Sequence, residues 1–128
     1  MMLVDTDVLI WYLKGNPNAR IEIEALSEFY ISVVSYIELV QGMRNKQELT
    51  YLRRALRTWN AKIAYITEDI SAKAMFYVEQ YYLSHSLQLA DALISATAIA
   101  NGLDVLTANT KHYRFLKDVA VKEFKPIN

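Results

Sequence analysis

Cysteine is absent from this 128-residue chain, which excludes a disulfide framework and any thiolate-held metal and suits a reducing, cytoplasmic setting. Histidine occurs only as His85 and His112, too few for an imidazole-rich zinc site. Three glycines and two prolines punctuate the chain singly and form no linker. Neither sign of charge prevails: 14 basic and 14 acidic residues give a formal net charge of zero. Bulk electrostatics therefore give no reason to coat nucleic acid, and any such binding must come from a local patch. No apolar run is long enough to span a bilayer. The apolar opening, residues 1–13, is broken by Asp5 and Asp7, lacks a basic flank and has no small-residue cleavage site, so it does not read as a signal peptide. What is plentiful is core material: 53% of residues are hydrophobic and 12% aromatic, enough for one compact domain over residues 1–128.

The apolar pattern alternates between strand and helix. Residues 2–5 form a short apolar run ending in an acid, and Val8, Leu9, Trp11 and Tyr12 follow at helical spacing up to a loop at 15–18. A helix over 19–28 leads to the β-branched and aromatic run 29–34, then to a helix from about Ser35. Leu49, Leu52, Leu56 and Trp59 mark another helix, and 62–66 a third strand. Helices over 68–83 and 89–101 follow, the second ended by Gly102 as a C-terminal cap. The strand 104–107, a short helix over 111–116 and a weak strand near 119–121 complete the chain. This order predicts a three-layer α/β/α domain whose central sheet is mainly parallel, with about four to five strands and right-handed crossovers.

In such sheets ligands bind beyond the carboxyl ends of the strands. Asp5 stands at that position in the first strand; one of Asp5, Thr6 or Asp7 must also cap the following helix, and Asp7 in the structural role leaves Asp5 to the crevice. Glu38 falls in the turn after the second strand, at the same edge of the sheet. Its alternative role is structural, because Ser35-Tyr-Ile-Glu38 matches a capping box in which the glutamate bonds back to the cap amide. Asp91 begins a helix that is apolar nearly all round over 89–100, so its charge needs a partner: a cation, or the amides of the helix's own N-terminus. Ser95 shares its face one turn on, while Thr107 and Asn109 lie at the exit of a later strand. Carboxylates gathered at one crevice repel one another unless protonated or metallated, and oxygen-only ligation suits magnesium or manganese. Such ions orient a phosphodiester and activate a water for in-line attack, which is nucleic-acid hydrolysis.

Residues 3–10 (Leu-Val-Asp-Thr-Asp-Val-Leu-Ile), 32–42 (Ser-Val-Val-Ser-Tyr-Ile-Glu-Leu-Val-Gln-Gly), 89–102 and 106–113 resemble, in order and over nearly the whole chain, the four motifs of the PIN-domain family, specifically its VapC-type toxins of bacterial and archaeal toxin-antitoxin pairs. The resemblance implies a magnesium- or manganese-dependent endoribonuclease with Asp5, Glu38 and Asp91 as catalytic metal ligands and Thr6 near the metal or phosphate. It sets Asn109 at a variable fourth position, often Asp in the family, and His112 where Asp or His is common. It also implies RNA as substrate, a cognate antitoxin in the groove beside the active site, and a homodimer.

Two other readings compete. A receiver-type phosphoacceptor domain has comparable length, acids after the first strand and a Lys-Pro pair like Lys125-Pro126, although the strand at 62–66 ends without the acid that would accept phosphate. A PIN-fold binding protein without turnover is suggested by Asn109 in the fourth position. Arg44, Lys46, Arg53, Arg54 and Arg57 form the one basic stretch, a solvated helix face or an RNA-steering patch. Phe76, Tyr77, Tyr81 and Tyr82 read as core and subunit contact rather than a base-stacking platform.

Overall fold

The computed structural model describes residues 1–127. Five strands, β1 (Met2–Val4), β2 (Phe29–Ser32), β3 (Ala61–Ala64), β4 (Asp104–Thr107) and β5 (Val121–Glu123), pair in the order β3-β2-β1-β4-β5, and every pairing is parallel. The helices are α1 (Thr6–Leu13), α2 (Pro17–Glu24), α3 (Val33–Gln41), α4 (Lys46–Thr58), α5 (Glu68–His85) and α6 (Leu89–Ala100). Successive strand residues face opposite ways. Leu3 and Val105 accordingly sit in a core with α5 and α6, and Val4, Ile31 and Leu106 in a second core with α1, α2, α4 and Leu39 of α3. The sheet is therefore covered on both faces, as the alternation of elements predicts.

The strand order removes the receiver-type reading, because that class of doubly wound sheet runs 2-1-3-4-5 and this one runs 3-2-1-4-5. The Lys-Pro pair plays no part at the acids: Lys125 and Pro126 accept side-chain bonds from Asn18 and Asn16 through their carbonyls.

Several boundaries differ from the sequence reading, and the one at α3 bears on the site. The β-branched pair Val33-Val34 is its first turn and not the end of a strand, since Ser32 is extended (φ −68°, ψ 146°) and its Oγ accepts from Val34 N at 3.1 Å. A capping serine at the strand's last position overrides the strand preference of the valines that follow. The capping box is thereby corrected: Ser35 is buried inside the helix, and Glu38 is not spent on a cap. Helix α2 begins two residues earlier than predicted, at Pro17, capped by Asn16. The segment predicted as a helix over 111–116 is a 3-10 turn at Thr110–His112, and the last strand starts at Val121. Gly102 does close α6, with φ +64°.

Candidate active site

Parallel pairing brings the exits of β1, β2 and β4 to one edge, where α1 and α3 begin. Asp5 follows β1, pinned by its amide to Leu106 O at 2.9 Å. It is the N-cap of α1, its Oδ1 accepting from Thr6 N at 2.8 Å. Capping uses one oxygen. The other, Oδ2, accepts from Thr107 Oγ1 and Tyr113 Oη, each at 2.9 Å. The side chain is almost wholly buried, at 7% exposure. Burial, and then the neighbouring charge of Asp7, push its carboxyl up to about 7 against the pull of those hydrogen bonds.

Asp7 is not the cap expected from sequence. Its Oδ2 accepts from Ala108 N and Asn109 Nδ2, each at 3.0 Å, and lies 3.3 Å from Thr107 Oγ1, so it clamps the β4 exit to α1. Burial raises its carboxyl too, opposed by these donors. Asn109 is thus held by Asp7, its amide one of two N–H donors to the same oxygen.

Glu38, itself exposed, projects from the second turn of α3. Thr6 Oγ1 donates to its Oε1 at 2.7 Å and lies 2.8 Å from buried Ser35 Oγ. A threonine hydroxyl carries one proton, so Thr6 gives it to the carboxylate and accepts from Ser35. Asp91, in the first turn of α6, is half-buried, with His112 Nδ1 3.2 Å from its Oδ2 and Tyr113 Oη 3.3 Å from its Oδ1. Burial raises its carboxyl, Glu38 adds to the rise, and His112 and Tyr113 oppose it.

The structure thus brings Asp5, Thr6, Glu38, Asp91, Thr107 and Asn109 to one crevice. Ser95 is different: it is fully buried with no partner for its hydroxyl, one turn beyond Asp91, and no bond ties it to the site. Sequence reasoning assigned no role to Tyr113, the fully buried residue that joins Asp5 to Asp91, and read Ser35 only as a helix cap, not as the donor to Thr6. The signal for Tyr113 was its place in the motif that also holds Thr107 and Asn109. Burial and the anions Asp5 and Asp91 keep its phenol protonated.

Among the described residues, no lysine or arginine lies in salt-bridge range of Asp5, Asp7, Glu38 or Asp91, and His112 is the sole ion-pair partner of the four. Among the described residues, no three acid or imidazole side chains are gathered tightly enough to enclose a cation; the Tyr113 hydroxyl bonds to Asp5 and lies 3.3 Å from Asp91. In chemical kind the donors fit a hard divalent cation: carboxylate oxygens with no lysine or arginine beside them, and three acids, Asp5, Asp7 and Asp91, whose burial penalises ionisation.

The basic stretch lies on and just before α4, and Arg44 borders the same groove as Glu38. Arg44 is bound to Glu48 by a fork of contacts at 2.8 and 3.1 Å, and Arg53 and Arg57 flank Tyr36 and Asn60. This arginine pair therefore lies alongside β3, in a depression that also includes Asn60 before the strand and Tyr36 of α3. The aromatic stripe divides, with Tyr77 buried, Tyr81 half-buried, and Phe76 and Tyr82 exposed.

Fold and site together define a doubly wound α/β protein with an acidic crevice at its strand exits. The chain belongs to the PIN-domain family, whose model matches residues 2–118. It is 38% identical over 117 residues to Ribonuclease VapC10 of Mycobacterium tuberculosis, covering 88% of this chain and 86% of that protein. It is 31% identical to Ribonuclease VapC19 of the same organism over 126 residues, 93% and 97% of the two chains. Among solved structures, a toxin-antitoxin complex from Klebsiella pneumoniae superposes with a TM-score of 0.80 at 27% identity, covering 100% of this chain and 99% of the other. A DNA-bound VapBC from Salmonella typhimurium gives 0.83 at 16% identity, a likeness of fold alone.

Proposed function

We propose that this protein is a magnesium- or manganese-dependent endoribonuclease, the toxin of a toxin-antitoxin pair. The observation that carries the reading is the convergence of Asp5, Glu38 and Asp91 on one crevice with no lysine or arginine in salt-bridge range among the described residues, in a chain related to proteins named as VapC ribonucleases. Asp5, Glu38 and Asp91 would hold the metal. When bound, it would supply a water of lowered pKa and charge for the phosphodiester oxygens.

The chain's own residues supply the rest. Thr6 fixes Glu38 by a proton it cannot give elsewhere, Thr107 and Tyr113 orient the inner oxygen of Asp5, and His112 steadies the outer oxygen of Asp91. The unmetallated acids would repel a phosphate placed among them, so the scissile phosphodiester would not settle at the acids until their charge is neutralised.

Two surfaces suit the expected partners. A groove of about 580 Å³ runs from Glu38 between α1, α3 and α4, walled by Ile10, Leu13, Leu39, Met43 and Leu52, and would receive an apolar segment of a cognate antitoxin. Exposed Met75, Phe76, Tyr82 and Leu83 on α5 and Leu89 on α6 form an apolar face suited to a homodimer. Expression with and without the adjacent small open reading frame, with mapping of RNA ends in arrested cells, tests the reading. New 3′ ends that disappear on co-expression are expected; no arrest and no new ends would overturn it.

A further inference from the structure

A second cavity, of about 280 Å³, opens on the Asp91 side of the crevice, between the α5–α6 turn and the 3-10 turn. Its walls include His85, Gln88, Asp91, Lys111, His112 and Phe115, so it shares Asp91 and His112 with the site just described. The volume lies just below the roughly 300 Å³ at which ligand pockets usually begin, which suits one nucleotide and not a longer segment.

The lining differs in kind from that of the apolar groove at Glu38. The His85 imidazole stacks on Phe115 with ring centroids 4.3 Å apart and planes 16° from parallel, and Tyr81 packs edge-on against His85. Ser84 Oγ, 2.7 Å from His85 Nδ1, fixes the ring. His85 is itself exposed, so a further flat ring can extend the stack. Ser86 adopts a left-handed conformation, φ 56°, uncommon for a residue with a side chain, and this reverses the chain so that His85 and Gln88 border the same space. The Gln88 amide nitrogen donates to Ser86 O at 3.0 Å, leaving its side-chain carbonyl to accept from a base edge. Lys111 is exposed and, among the described residues, has no acid within salt-bridge distance. An aromatic stack, an amide and an unpaired cation are what a base with its phosphate requires.

We propose that this cavity is a nucleotide subsite, in which His85 and Phe115 stack the base next to the phosphodiester at the acidic crevice and Lys111 meets a neighbouring phosphate. The inference rests on the ribonuclease reading for its place in the reaction. Its binding claim is testable without turnover. His85 and His112 are the protein's only histidines and both border the cavity; His112 also touches Asp91, so the His85 imidazole proton signals are the reporter of the cavity.

Metal-free protein is titrated with adenosine and uridine 5′-monophosphates, with inorganic phosphate as control, while the His85 signals are followed by NMR. A saturable upfield displacement of the His85 signals by at least one nucleotide, absent with phosphate and weakened roughly tenfold in Lys111→Gln or Phe115→Leu, is expected. No saturable displacement, or the same displacement with phosphate alone, overturns the subsite. In cleavage assays His85→Ala should raise KM roughly tenfold and flatten base preference at one position beside the cut, with kcat little changed. RNA cleavage with unaltered KM and preference in folded His85→Ala would overturn the subsite and leave the ribonuclease reading standing. A nucleotide-dependent shift in a protein that cuts no RNA would do the reverse.

Discussion

The phenol of Tyr113 donates to Asp5 Oδ2 at 2.9 Å across 108 positions of sequence, so the acid at the end of the first strand is held by a residue that follows the fourth. The same hydroxyl lies 3.3 Å from Asp91, and a phenol has only one proton to give. One of the two carboxylates is therefore always short of a donor, and with Asp5 displaced toward neutrality the cluster tolerates this only by holding protons. Any ligand that brings positive charge relieves it.

The first consequence is a pH-dependent stability of unusual sign for an acid. The Asp5 carboxyl is raised from 3.8 to about 7, so between those values the folded state binds more protons than the unfolded one. Its stability falls as pH rises through that window and levels off above it, by as much as about 4 kcal/mol before relaxation. Metal-free protein should melt lower at pH 8 than at pH 5, and magnesium or manganese should raise the midpoint more at pH 8. A metal increment equal at both pH values would contradict the account.

Substitution of Asp5→Asn separates stability from function. The amide removes a buried charge that costs energy near pH 8 and removes little at pH 5, where Asp5 is already neutral. Thermal denaturation should show metal-free Asp5→Asn more stable than wild type at pH 8, by about 1–3 kcal/mol, with the gain shrinking at pH 5. A loss of stability at pH 8 would mean that the carboxylate is compensated.

Thr6→Val keeps the shape of α1's first turn and deletes the proton that fixes Glu38. Because the lost bond is charge-assisted but its acceptor is exposed, the cost to stability is about 1 kcal/mol. Cleavage should fall roughly tenfold through positional freedom of Glu38. Unchanged kcat would remove Thr6 from the site.

Asn109→Asp would replace a donor to Asp7 by a second carboxylate at a contact that is now 3.0 Å. Repulsion should lower metal-free stability by about 1–2 kcal/mol, while the added charge should tighten manganese binding, read by calorimetry. Weaker manganese binding would show that the fourth corner faces away from the cation.

Much of this was legible in the chain. The sheet follows from apolar runs alternating with helical periodicity, and Asp5, Glu38 and Asp91 from their positions after strands and at a buried helix start. The misreadings share a physical cause. Val33-Val34 has strand chemistry, but Ser32 caps first; Asp5 turned out to be a cap and a crevice acid at once, because a carboxylate has two oxygens to assign separately. Ser95 has the right helical spacing from Asp91, yet one turn down α6 is already core. Tyr113 was hidden because an aromatic residue after a strand reads as packing, and only the tertiary fold reveals that its hydroxyl is spent on acids 108 and 22 residues away.

The central claim is that Asp5, Glu38 and Asp91 form one metal-dependent hydrolytic site. It is tested most directly by incubating purified protein with RNA under magnesium, manganese and chelator, beside Asp91→Asn shown by circular dichroism to be folded. Cleavage by wild type with either metal, none with chelator and a loss of at least about a thousandfold in Asp91→Asn is the predicted result. Cleavage that survives chelation, or a folded Asp91→Asn of wild-type activity, would contradict it.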